Sequence, residues 1–261
     1  MEFLKDIIYI NKITSKKALD LFLKNWMIIF TGLVYITINI VAIFVASPFL
    51  FIPILNIVVG VLLYFLSIAL ISSYFYILYS IIKYKKFEFK DIKRGLKVYL
   101  YEVSRVLFIG WIASILVFRL LVPILSSSLG GYLDPATITS ILTIILLIVI
   151  NPLPEVIYQK GYTGIDGIKY TFEYMKENWV EWLIPNAILI GLLYAVTGST
   201  ITNLFSTGIS FNSNILSIKS IGLYLIGQVI FSFTMIYRGV LFEMLSTSTR
   251  RKRMFMRNTY K

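Results

Sequence analysis

The chain has 261 residues, of which 58% are hydrophobic, and a mean hydropathy of +0.82, which is outside the range of soluble domains. It contains no cysteine and no histidine, which excludes disulfides, thiolate nucleophiles, imidazole bases and Cys/His zinc sites. A net charge of +12 in so apolar a chain indicates basic cytosolic loops and contact with anionic lipids rather than nucleic acid. We therefore expect no nucleic-acid partner, no metal and no cofactor.

The first third of the chain predicts a surface helix followed by a membrane hairpin. In residues 2–24, apolar residues share one helical face and lysines occupy the others, which is typical of a helix in the interface plane. The first span runs from Trp26 to Ala46, with the tryptophan at headgroup level. After an uncharged turn, the second span runs from Ile54 to Ile82, longer than the roughly 20 residues that a bilayer requires.

The middle third repeats this order. Lys83–Lys97 is the most basic stretch and carries apolar residues at helical spacing, which predicts a second surface helix. The third span covers Val106–Pro123 and contains Arg119 about one turn from its far end. A Ser/Gly turn then leads to Asp134.

The fourth span covers Ala136–Tyr158 and is interrupted by two prolines. Pro152 and Pro154 should kink it or end its regular hydrogen bonding, because proline has no backbone N–H. Glu155 follows them directly. One interpretation places Glu155 at headgroup level, where it terminates the helix. The other makes it a functional group at membrane depth, where broken backbone lines a cavity.

The last third contains the clearest amphipathic pattern, with one apolar face from Ile165 to Trp182. The fifth span is short, Leu183–Val196, and Pro185 is expected at its start. Gly198–Lys219 is polar with scattered apolar residues and is expected to dip back into the interface. The sixth span covers Ser220–Val240, and a basic tail occupies 244–261.

Basic residues predict the orientation of the chain. With both termini cytosolic, Arg119 and Lys219 are the only two of 25 basic residues on the far side, which leaves 23 on the cytosolic side. We therefore expect a multi-pass protein of the cytoplasmic (inner) membrane with both termini in the cytosol.

The chain also shows an internal repeat. Asn25-Trp26 and Asn178-Trp179 precede two of the spans, and a fainter middle match pairs Tyr99 with Phe22. Three tyrosines near the ends of the even spans are 79 residues apart: Tyr79, Tyr158 and Tyr237. The sequence predicts one all-α membrane domain, 1–261, with three units of a surface helix and a hairpin at about 1–83, 84–160 and 161–243.

Two further features are candidate sites. Arg119 either snorkels to water or faces an inner cavity, where Asp134 is its nearest expected partner. The segment from Asn151 to Trp182 is the only predicted cytosolic connection with net negative charge, which indicates either a solvated face or a docking surface for a basic partner. The acidic residues of that predicted docking surface are Asp166, Glu173, Glu177 and Glu181.

The surface-helix and hairpin order, the Asn-Trp entries and the Pro-Leu-Pro-Glu break resemble a broad group of uncharacterised bacterial six-span membrane proteins. That group is similar to the membrane domain of some glycerophosphodiester phosphodiesterases. The segment Gly167–Thr171 departs from the group's usual Ala-Leu then Ser pattern. The resemblance implies a fold and a membrane location, without an activity.

A second resemblance is to permease subunits of ABC-2-type exporters, which also have six spans. It implies a coupling segment at Lys83–Lys97, an outer re-entrant segment at Gly198–Lys219 and a separate ATPase as partner. The residues thus favour a non-enzymatic membrane protein with a transport or membrane-organising role. The permease subunit and an accessory or immunity protein bound to another membrane protein are the alternatives.

Overall fold

A computed structural model describes residues 2–128, 132–198, 201, 203–209 and 218–248. Over these ranges the chain is entirely helical, with no strand. Of the basic tail predicted at 244–261, the part after Ser248 lies outside the described residues. The ten helices of the described ranges are α1 (Glu2–Lys24), α2 (Ile29–Ala46), α3 (Pro53–Tyr84), α4 (Phe89–Val98), α5 (Leu100–Leu116), α6 (Val122–Ser128), α7 (Pro135–Val149), α8 (Leu153–Lys160), α9 (Gly164–Thr197) and α10 (Ile218–Thr247).

Six helical segments of the described chain are long and apolar enough to cross a membrane, so the protein is a multi-pass membrane protein. This confirms the predicted all-α, six-span fold. The spans are longer than the sequence predicts at most of their ends, because helix continues beyond the apolar core of each segment. Their bounds are Trp26–Phe49, Pro53–Tyr84, Leu100–Ser128, Pro135–Lys160, Gly164–Thr197 and Ser220–Thr247.

The third surface helix and the fifth span follow one another within α9, without a loop, and meet at a kink. Only Asn178 within it leaves the helical conformation, with φ −128° and ψ 16°. Pro185 lies inside this helix, seven residues after Asn178, so its predicted place at a helix start is wrong. A single non-helical residue is enough to turn the chain from the surface into the membrane.

Three residues join a surface helix to a span through nearly the same backbone conformation. Asn25 has φ −123° and ψ 32°, Tyr99 has φ −111° and ψ 14°, and Asn178 is similar. At two of these joints the asparagine amide donates to a carbonyl four residues earlier: Asn25 to Leu21 at 2.8 Å and Asn178 to Tyr174 at 3.1 Å. These bonds satisfy carbonyls that the helix end leaves without partners.

The core of the protein lies where α3, α8 and α10 end. Tyr74 of α3 stacks on Phe231 of α10 with ring centroids 6.1 Å apart, and Phe75 contacts Tyr158 of α8 at 5.6 Å. Gly239 permits this approach, because a Cβ there would lie 2.1 Å from Ile82 and 2.6 Å from the Tyr158 hydroxyl. We call this region, formed by 68–84, 153–160 and 228–247, the packed half.

The other ends of the spans bury less of their apolar surface. In α10, 72% of the most apolar stretch is buried inside the protein, whereas the other five spans bury 28% or less. Large apolar side chains there face outward, among them Phe44 and Ile57. We call this region, formed by 37–66, 108–128 and 135–149, the open half. Its apolar surface is suited to lipid chains.

The segment between α9 and α10 returns into the protein, where the sequence predicts a dip. Phe205 is buried, and the centroid of its ring lies 6.0 Å from that of Phe75. Phe75 is nine residues before the end of α3. Ile209 is also buried. Gly208 lies beside Gln228 of α10 and Gly32 of α2. Residues 203–209 therefore cover the core on its open-half side.

Candidate functional site

A buried ion pair joins α8 to α10 within the packed half. The Arg238 side chain donates from Nε to Glu155 Oε1 at 2.8 Å and from Nη2 to Glu155 Oε2 at 3.0 Å. The two residues are 4% and 2% exposed. Two parallel N–H···O bonds of this kind are the strongest pairing that arginine makes with a carboxylate.

Two more residues complete the charged cluster, which we define as Asn151, Glu155, Trp182 and Arg238. Arg238 also donates to the Asn151 backbone carbonyl at 2.8 Å and to its side-chain oxygen at 3.0 Å. The Trp182 indole N–H donates to that same side-chain oxygen at 2.9 Å. The Arg238 guanidinium carbon lies 5.1 Å from the centroid of the Trp182 ring. The cluster thus connects α8, α9 and α10.

The local sequence explains how the cluster forms. α7 ends at Val149, and α8 begins at Leu153 with Pro152 as its N-cap and Pro154 in its first turn, where a missing N–H costs no helical bond. The break leaves the Asn151 carbonyl available to Arg238. Glu155 lies in the first turn of α8, where the helix dipole favours a negative charge.

The cluster is suited to fixing helices, because Glu155, Trp182 and Arg238 are buried and hydrogen-bonded to one another or to Asn151. Burying an isolated charge is costly, and a buried pair offsets that cost only when its remaining donors and acceptors are satisfied. Arg238 meets this condition with four hydrogen bonds and the Trp182 ring. Glu155 accepts two of the four. We therefore interpret the cluster as the contact that sets the relative positions of α8, α9 and α10.

The structure places the other predicted site residues apart from this cluster. Arg119 lies in a short π-helical turn, Val117–Leu121, and its side chain is exposed. Asp134 instead caps α7: it accepts from the Thr137 backbone N–H at 3.3 Å and from its hydroxyl. These Thr137 bonds hold the pKa of Asp134 below its ordinary value. Within the described residues Arg119 makes no ion pair.

The predicted acidic docking surface needs a correction. Asp166, Glu173 and Glu177 are exposed, but Glu181 is 4% exposed and lies inside the protein. Glu155 is neutralised by Arg238. The helix turns into the membrane at Asn178, and Glu181, three residues later, is already on the packed side. The negative charges of the three exposed acids are then equal in number to the positive charges of Lys160, Lys169 and Lys176. This segment therefore has no net negative charge on its surface.

Sequence reasoning missed Arg238 and the pairing itself. The arginine falls near the end of the sixth predicted span, where a basic residue is usually taken as a cytosolic flank. A signal was present, since apolar residues follow Arg238 as far as Leu245 except for Gly239 and Glu243. A charge inside an apolar run calls for a partner at the same depth, and Glu155 is the acid within the fourth span.

A second feature of possible functional use is a groove between α2 and α3 in the open half. Its volume is about 640 Å³. Apart from Thr37 every lining residue is apolar: Ile38, Val41, Ala42, Val45, Ala46, Phe49, Val59, Leu62, Leu63 and Leu66. The groove therefore offers dispersion contacts and almost no hydrogen bonds to an occupant.

Surface charges on the loop before α4 form a local network. Glu88 pairs with Lys86 at 2.7 Å and with Lys90, and these lysines lower the pKa of Glu88 to about 2. Glu88 also forms a capping box with Asp91 at the start of α4. Because Lys86 and Lys90 are exposed to water and Glu88 is only partly buried, the two ion pairs contribute little to stability.

Comparison with known proteins adds no functional assignment. The chain matches no family model, no curated protein and no solved structure. Over the described residues, no group of three acidic side chains is arranged to hold a metal ion. The chemistry of the chain must therefore be argued from the charged cluster and the groove.

Proposed function

We propose that the chain is a non-enzymatic protein of the cytoplasmic membrane that organises lipid around an open set of helices held by one packed end. The contrast in burial supports this: α10 buries 72% of its most apolar stretch and no other span more than 28%. Exposed apolar helix surface in a membrane is covered by lipid chains. The resemblance to six-span bacterial membrane proteins is part of the same proposal.

The groove between α2 and α3 is the proposed lipid-binding site, with an acyl chain as its occupant. Its lining is apolar and it opens sideways between two spans. Lipid chains surround these spans, as the exposed side chains of Ile40, Phe44 and Ile57 indicate. An acyl chain also has the flexibility to follow the groove.

The groove is tested by filling it. Ala42→Phe places a ring in the lining, whereas Ile40→Phe adds a ring of the same size on the exposed face of the same helix. Native mass spectrometry after detergent extraction should show fewer retained lipids for Ala42→Phe and an unchanged number for Ile40→Phe. Equal lipid retention in both variants contradicts the proposed occupant.

The proposed orientation places both termini and the packed half in the cytosol, because 23 of 25 basic residues then lie on that side. The chain has no native cysteine, so single-cysteine labelling is direct. Lys90→Cys and Tyr132→Cys are both exposed and lie on opposite sides. A membrane-impermeant maleimide added to intact cells should label Tyr132→Cys and leave Lys90→Cys unlabelled. The reverse pattern would refute this orientation.

The three-unit repeat is part of the proposal and is supported by equal spacing. Tyr99 and Asn178, two of the joints with similar backbone, are 79 residues apart, as are Tyr79 and Tyr158. Ser72 and Asn151 have the same spacing; Ser72 bonds α4 and the joint at Tyr99, and Asn151 bonds Trp182, four residues after the joint at Asn178. Matching the joints by their backbone conformation pairs Tyr99 with Asn25 instead of Phe22, at a spacing of 74 residues rather than 79. In this arrangement α4, α9 and α1 pack against α3, α8 and α10, which closes a ring.

A permease subunit of the ABC-2 type is the second candidate, and residues 203–209 favour it. These residues return into the protein between spans five and six, and α4 provides an exposed basic helix between spans two and three. Co-purification of a stoichiometric ATPase after mild detergent extraction would replace the first proposal with this one. An accessory or immunity protein, the third candidate, would instead co-purify with a different membrane protein.

A further inference from the structure

A small polar pocket lies where three helices of the packed half end. Its volume is about 180 Å³. α3 contributes Tyr79, Ile82 and Lys83, α8 contributes Gln159 and Lys160, and α10 contributes Glu243, Ser246 and Thr247. The pocket thus lies between the ends of three helices that contribute to the core. Unlike the groove, it is lined mainly by charged and hydroxyl side chains.

The charges around this pocket are unequal. Glu243 is already paired with Lys17 of α1 at 2.7 Å. Lys83 and Lys160 make no ion pair among the described residues, although they come from different helices and line the same space. Counting Lys17, Lys83 and Lys160 against Glu243 gives three positive charges and one negative charge, a surplus of two.

Helix ends account for only part of this surplus. Lys83 and Lys160 lie in the last turns of α3 and α8, where a basic side chain complements the helix dipole. Each of the three helix ends carries about half a negative charge at most, so together they offset about 1.5 of the two charges. Water at these exposed ends weakens the dipole further. A positive surplus therefore remains.

We infer that this pocket binds a phosphate group, either of an anionic lipid headgroup or of a free phosphate compound. The ammonium groups of Lys83 and Lys160 supply the opposite charge. The hydroxyls of Ser246 and Thr247, which donate to the Glu243 carbonyl at 3.5 and 2.6 Å, can rotate to donate to a phosphate oxygen. The pocket is at the end of the spans, where lipid headgroups lie. The inference is independent of the proposed groove, which is in the other half.

The test measures phosphate binding to the purified full-length chain in detergent. Dihexanoyl phosphatidylglycerol, dihexanoyl phosphatidylcholine and inorganic phosphate are titrated separately by calorimetry. The pocket variant is Lys83→Gln with Lys160→Gln. The matched control is Lys93→Gln with Lys97→Gln, two exposed lysines of α4 that carry the same charge on the same side of the membrane. An unchanged thermal unfolding midpoint shows that each variant is folded. If the double pocket variant does not fold, the single variant Lys160→Gln takes its place.

We expect the wild-type chain to bind an anionic phosphate ligand more tightly than phosphatidylcholine. The pocket variant should weaken this binding at least about tenfold, which corresponds to about 1.4 kcal/mol, whereas the control changes it less than twofold. If phosphatidylglycerol binds tightly and inorganic phosphate binds weakly, the ligand is a lipid headgroup. If the two bind equally tightly, the ligand is a free phosphate compound. Equal losses in the pocket variant and the control, or no binding to the wild type, overturn the inference and leave the lysines as helix-end charges. Lipid loss from the Ala42→Phe groove variant does not affect this result.

Discussion

The two halves of this molecule share the long helix α3 but are held together differently. In the packed half, α3, α8 and α10 meet through stacked rings, a glycine contact at Gly239 and the charged cluster around Arg238. In the open half, the same chain exposes apolar side chains and encloses an apolar groove. Hydrophobicity places a helix in the membrane, whereas close packing and polar contacts position it against its neighbours.

The largest expected effect is the loss of one partner of the buried ion pair. Arg238→Gln leaves the Glu155 carboxylate buried without its counter-charge, which should lower the free energy of unfolding by about 3–5 kcal/mol. Unfolding by a denaturing detergent, followed by circular dichroism, measures this loss. The exposed Lys97→Gln is the control and should stay within about 0.5 kcal/mol of wild type. Equal stability of the two variants would mean that the pair does not hold the packed half.

One substitution made in both halves tests the comparison itself. Gly239→Ala puts a methyl group against Ile82 and the Tyr158 hydroxyl, which should cost about 1–3 kcal/mol. Gly60→Ala meets no atom within 4 Å, so it should be neutral or should stabilise the helix by up to about 1 kcal/mol. The same unfolding assay applies. A loss at position 60 as large as at 239 would show that the open half is packed too.

The joints should differ from one another by a smaller amount. Asn25 bonds the Leu21 carbonyl, the Lys85 carbonyl and the Phe87 backbone N–H, the last at 2.6 Å, whereas Asn178 bonds only the Tyr174 carbonyl in the described structure. With about 1 kcal/mol for each bond lost, Asn25→Ala should destabilise the protein more than Asn178→Ala. Thermal unfolding midpoints of the two variants check this order. A larger effect at Asn178 would contradict the expectation that the bonds from Asn25 to Lys85 and Phe87 hold the α3–α4 connection.

The smallest expected effect is a pH dependence from Glu88. Its pKa in the folded protein is about 2, below its ordinary value of 4.5, because Lys86 and Lys90 favour the charged form. The stabilisation is therefore fully present above pH 4.5 and is lost as the pH falls toward 2. Glu88→Gln should flatten the stability profile slightly between these values. If the stability of Glu88→Gln fell more steeply with decreasing pH than that of the wild type, the pKa of Glu88 would not be lowered in the folded protein, which would refute this explanation.

The sequence predicts the six spans well because each is a long apolar run bounded by charges or turns. It also places the helix break at Pro152 and Pro154. This break can be predicted because it depends only on the missing backbone N–H of proline and not on contacts with distant residues. The Asn178-Trp179 pair indicates where the third surface helix passes into the fifth span, but the sequence does not show that a single non-helical residue makes this passage. The pairing of Glu155 with Arg238 joins residues 83 positions apart, and only the tertiary packing of α8 on α10 brings them together.

The most direct measurement is a double-mutant cycle on Glu155 and Arg238. Unfolding free energies of wild type, Glu155→Gln, Arg238→Gln and the double variant are compared in one detergent. If the pair fixes α8 against α10, the double variant should lose less than the sum of the single variants, with a coupling energy of about 2–3 kcal/mol. Additive losses within about 0.5 kcal/mol would mean that the two side chains act independently, which contradicts the central role given to the charged cluster.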